Sequence, residues 1–210
     1  MIRKLILAVV LGVSGVSALC LPLASAQAET QTFEQQVAAA VAANPGGGEA
    51  LQTALASLIS TQADPAAAAA AAMLALSAGT GEQLAALGGA INGINAITPE
   101  ALEAAVASAV EGSSDPVAAA QAVLASAAYL SGDHQGAAGR GLATAAADIG
   151  VLNPNAASSI TAAVDNSSLS GVKTAYADQQ SRVGSINNNQ QQTNDQSNLR
   201  ESGIPPVSPN

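Results

Sequence analysis

Few side chains in this 210-residue chain are of types that do chemistry. His134 is the single histidine, it follows Asp133, and Asp148 and Asp165 are acids that packing could bring to it. As chemistry, that set would be a general base or part of a metal site. A metal ordinarily needs three or four convergent donors, and there is no second histidine and no cysteine after Cys20. His134 is therefore expected to sit exposed in a capping turn at a helix start.

Glu100 and Glu103 lie one helical turn apart, a spacing that suits calcium or general acid/base work. The same spacing also places both acids in a first turn facing solvent, where negative charge complements the helix dipole, and this is the expectation. Ser57 and Ser108 have no histidine nearby in sequence to activate them. Gly46-Gly47-Gly48 lacks the lysine and hydroxyl of a phosphate loop. The glycines around Arg140 (Gly136, Gly139, Gly141) follow no strand, so a nucleotide fingerprint fails on context. Asn166-Ser167-Ser168 matches a glycosylation acceptor, which carries little weight behind a leader of bacterial type. No catalytic, cofactor-binding or metal-binding residue is assigned, no cofactor is expected, and the chain reads as a non-enzyme.

The elements that would position these groups are written more plainly. Glu49 to Met73 aligns without a gap on Glu100 to Leu124 at an offset of 51, with twelve of 25 pairs identical. Glu49/Glu100, Leu51/Leu102, Ser57/Ser108, Asp64/Asp115 and Pro65/Pro116 are the informative matches. A fixed period of this kind is the mark of stacked helical repeats. Helix starts are signalled by capping boxes at Thr32 and Thr80. Cap-plus-proline pairs at Asp64-Pro65, Thr98-Pro99, Asp115-Pro116 and Asn153-Pro154 signal four more.

Apolar positions agree with those starts. Phe33, Val37 and Val41 form one stripe, and Leu51, Leu55, Leu58 and Ile59 another. Leu84, Leu87, Ile91 and Ile94 form a narrow seam in a helix that also holds Gly88, Gly89 and Gly93. Each glycine costs about 1 kcal/mol in a helix, so a neighbouring backbone is expected to pack closely there, or the helix to fray toward Asn92. Helices are expected from Pro65 to about Ala78 and from Asp133 to Asp148. The uncharged stretch Ala85–Ile94 resembles a membrane-inserting helix in composition, but it is too short to span and reads as a buried inner helix.

The fold expectation is all-α: an array of short Ala-rich helices, about two and a half three-helix units of 51 residues, over residues 27–168. A short polar helix containing Tyr176 follows at 169–183, and 184–210 is a Gln/Asn-rich, proline-containing tail expected to be disordered.

Arg3 and Lys4, the apolar run from Leu5 and the Ala24-Ser25-Ala26 site have the form of a secretory signal cleaved before Gln27. A retained anchor is opposed by Gly12, Gly15 and Pro22, and a lipoprotein by Leu19 before Cys20. The mature chain would then carry four basic against fifteen acidic residues, a net charge of −11. That balance opposes binding to nucleic acid or to an anionic membrane surface. Export without a disulfide framework suits a bacterial periplasmic or extracellular protein with no integral span after cleavage. The expected role is contact with a protein partner or self-association; the alternative is a small apolar or lipid-like ligand held between helices.

Overall fold

The computed structural model describes residues 31–183, so the expected leader (1–26) and tail (184–210) lie outside the described residues. Those residues form nine helices and contain no strand. In order they are α1 (Phe33–Ala43), α2 (Gly48–Ser60), α3 (Pro65–Ala75), α4 (Gly81–Gly93), α5 (Pro99–Glu111), α6 (Pro116–Ala127), α7 (Gly132–Leu152), α8 (Pro154–Asn166) and α9 (170–183).

Local chemistry accounts for the starts. Thr32 and Thr80 form reciprocal capping boxes with Gln35 and Gln83. Asp64 Oδ1 accepts from the Ala66 and Ala67 backbone N–H groups at 3.0 Å, and Asp115 Oδ1 from Ala118 at 3.0 Å. Thr98 and Asn153 cap α5 and α8 in the same way, each ahead of a proline whose missing N–H costs nothing in a first turn. Replacing such a cap by alanine typically costs about 1 kcal/mol.

Small residues let the helices approach closely. Leu51, Leu55 and Ile59 of α2 and Leu102, Val106 and Val110 of α5 are fully buried, together with a large set of alanines from α3, α6 and α7. An alanine removes less area from water than a leucine, so each contact is weak and the number of contacts carries the core. In compensation, alanine loses no rotamer freedom on burial.

Among α1 to α8 the most extensive packing joins α5 to α7, followed by α2 to α4. Both pairs run parallel. Along α5 and α7, Ile97 meets His134, Glu103 meets Arg140, and the Glu111 carboxyl adjoins Asp148. Along α2 and α4, Pro45 meets Gln83 and Gln52 meets Gly89.

Several expectations change. The third helix stops at Ala75 rather than Ala78, and α7 runs on to Leu152, one turn past Asp148. That extra turn leaves Val151 and Leu152 82% and 91% exposed. The α4 seam ends at Ile91, because Ile94 turns to extended backbone as the C-cap. Its glycines divide between the two explanations: a Cβ on Gly88 would lie 2.5 Å from the Tyr129 carbonyl oxygen, whereas Gly93 has nothing within 4 Å and ends the helix.

The helix at 170–183 is polar only on its outer face. Val172 and Tyr176 are buried, and the Val172 carbonyl lies where a side chain on Gly139 of α7 would have to go. Gln180 donates to the Tyr176 hydroxyl (3.1 Å), which donates to Thr161 Oγ1 of α8 (2.8 Å), which donates to the Ala157 carbonyl (3.1 Å). Burial pushes the Tyr176 phenol above its usual value, with the hydrogen bond donated by Gln180 partly offsetting it. α9 is thus an integral layer over α7 and α8, not an appendage.

Candidate functional site

His134 is buried, which corrects the exposed position expected for it. It lies in the first turn of α7, three residues after the N-cap Ser131. Nε2 donates to the Ile97 carbonyl at 3.1 Å, since a carbonyl only accepts. Nδ1 lies 3.2 Å from Ser131 Oγ and 3.0 Å from Asn92 Oδ1. Asn92 Oδ1 also accepts from the Ser131 backbone N–H at 3.0 Å. Both ring nitrogens are engaged in joining the end of α4, the α4–α5 connection and the start of α7.

Gln83 does the same work one junction earlier. It stands three residues after the N-cap Thr80, accepts from the Thr80 N–H, and donates to the Pro45 carbonyl at 3.1 Å. A clue to His134 was therefore present in the sequence: Gln35, Gln83 and His134 occupy the same slot after Thr32, Thr80 and Ser131. Reading the histidine first for its chemistry hid that position.

The paired acids separate. Glu100 stays exposed in the first turn of α5, as expected, but Glu103 is half-buried and joins Arg140 Nε at 2.5 Å. The glycines flanking Arg140 lie inside α7 as plain helix, and Gly141 lets its backbone approach Glu103 and Val106. Gly47, with φ 71°, caps α2 with no side chain, and a Cβ there would strike the Glu82 backbone at 2.7 Å. Ser57 and Ser108 are exposed. Asp165 is exposed, and its carbonyl accepts from Lys173 Nζ at 2.8 Å. Asp148 goes not to His134 but to Glu111, whose carboxyl is raised by desolvation first and by the Asp148 charge and hydrogen bond after it. Among the described residues no three His, Cys, Asp or Glu side chains gather as metal ligands.

Two of the concavities among the described residues border α5. One, of about 760 Å³, lies between α5, α7 and α9 and gathers Glu100, Glu103, Arg140, Asp178 and Arg182. The other, of about 650 Å³, lies between α3 and α5 and is walled by alanines with Leu74, with Asp64 and Ser108 among its few polar side chains. Sequence reasoning missed the first, because its residues come from three helices and Glu103 and Arg140 are 37 positions apart. No helix among the described residues is long and apolar enough to cross a membrane.

Comparison with known proteins adds no analogy: no family model, curated protein or solved structure matches the chain.

Proposed function

We propose that the chain is a non-enzymatic, exported interaction protein, a stack of three-helix units that presents its surface to a protein partner or to another copy of itself. The observation that carries this reading is the pairing of Gln83 with the Pro45 carbonyl and of His134 with the Ile97 carbonyl. The same slot makes the same kind of bond at two successive junctions, which is what stacked units require. It engages the one histidine in holding the array together. On this reading the units are α1–α3, α4–α6 and α7–α9, the last lengthened by the turn at 149–152. The leader-like N-terminus, with the acidic, cysteine-free sequence after it, supports a place in or outside a bacterial envelope.

Whole-cell cross-linking of the full chain tests the role. A specific cross-linked partner or a ladder of self-adducts is expected, and a monomer free of adducts in every growth condition would refute it. A second reading, a binder of a small apolar ligand, is favoured by the alanine-walled groove between α3 and α5. It requires co-purifying material in native mass spectrometry, and a bare protein mass counts against it.

A further inference from the structure

We infer that the cleft between α5, α7 and α9 binds a small zwitterion, a free amino acid or a short peptide, through its α-ammonium and carboxylate groups. The inference concerns this cleft alone and holds wherever the protein resides. The sequence contains six lysines and arginines in all, and two of them, Arg140 and Arg182, line this one cleft. Glu103 holds Arg140 through Nε only, so both Nη groups are without an ion pair or hydrogen bond among the described residues. Arg182 has neither partner there. Guanidinium forks with free N–H groups match the two oxygens of a carboxylate. Glu100 and Asp178, likewise without an ion pair among the described residues, supply the opposite charge.

That mixture selects the ligand class. A phosphate or other plain anion would meet three carboxylates in the lining, and a plain cation would meet two guanidiniums, whereas a zwitterion satisfies both signs. The volume, about 760 Å³, falls in the range of small-molecule sites, ~300–1,000 Å³. The charge is also local to this place. Where α2 meets α4, the residues facing one another are Gln52 and Gly89, and the shallow cavities there contain no basic residue.

The test is an NMR titration of the ¹⁵N-labelled full chain with L-alanine and, separately, with the peptide Ala-Ala-Ala. Saturable shifts confined to residues 100–103 and 170–182 and the Arg140 side chain are expected from at least one of them; the one that binds identifies the source. Acetylating the peptide's amine or amidating its carboxylate should weaken a peptide ligand about tenfold, as should Arg182→Ala for either ligand. Arg182→Lys, which keeps the charge and loses the fork, should weaken binding severalfold and serves if the alanine variant does not fold. No saturable shift from either probe at about 10 mM would overturn the proposal, as would affinity unchanged in the Arg182 variants.

Discussion

The α2–α4 and α5–α7 junctions solve one packing problem with different residues. Each sets two helices parallel and joins the later helix's first turn to the connection before the earlier one, by Gln83 to Pro45 or by His134 to Ile97. At the next contact along the pair, the first junction brings Gln52 against Gly89, and the second sets Glu103 against Arg140. The apolar contacts are shared: Leu51, Leu55 and Ile59 in one helix, Leu102, Val106 and Val110 in the other, all fully buried. Geometry is common to both junctions, and charge belongs to one. Residues that differ between equivalent places are therefore the ones to search for function, and here they lead to the cleft.

The largest effect should test the shared part. Leu51→Ala and Leu102→Ala each empty a fully buried site, and each is expected to cost about 2–5 kcal/mol in denaturant unfolding. Costs that differ by more than about 2 kcal/mol would break the equivalence of the two junctions. Next, Gly88→Ala drives a methyl into the Tyr129 backbone and should lose about 1–3 kcal/mol despite better helix propensity. Gly93→Ala, in open space at the helix end, should be neutral or gain up to about 1 kcal/mol. Equal melting temperatures for the two variants would contradict the close approach at Gly88.

His134→Gln imports the first junction's solution into the second. Stability within about 1 kcal/mol of the native chain is expected, against a loss of about 1–3 kcal/mol for His134→Ala, which strands the Ile97 carbonyl. If the glutamine variant is as unstable as the alanine one, the two slots are not interchangeable.

The smallest effect concerns Glu111 and Asp148, at the far end of the charged junction. Folding raises the Glu111 carboxyl, so the folded chain holds that proton more tightly than the unfolded one. The contribution is complete in acid below the unfolded carboxyl range and is lost as pH rises through the folded value. Glu111→Gln should therefore stabilise the protein near neutral pH, by only about 0.3 kcal/mol because both acids are exposed. The gain should vanish in acid, and a variant less stable than the native chain at neutral pH would reverse the sign assigned here.

Much of the fold was legible in the chain because its signals are short-range. Asp64-Pro65, Thr98-Pro99, Asp115-Pro116 and Asn153-Pro154 each start a helix through contacts spanning two or three residues, and Leu51, Leu55 and Ile59 mark a buried face by spacing alone. The end of α7 was misread: the next start signal is Asn153-Pro154, and the helix runs on to it, one turn past the expected end at Asp148. The packing of α9 was hidden because its buried residues, Val172 and Tyr176, make a single i, i+4 pair among polar neighbours, too short a stripe to mark a buried face.

The sequence by itself determined that the chain is helical, where most helices begin and which faces turn inward, because caps, prolines and periodicity act within one or two turns. Tertiary structure alone decided what His134, Glu103, Gly88 and Arg140 do. Their partners lie 37 to 42 positions away, and which of these meet depends on the parallel register of packed helices. The cleft belongs to that second class: five charged residues from three helices form one surface only after α9 settles over α7 and α8.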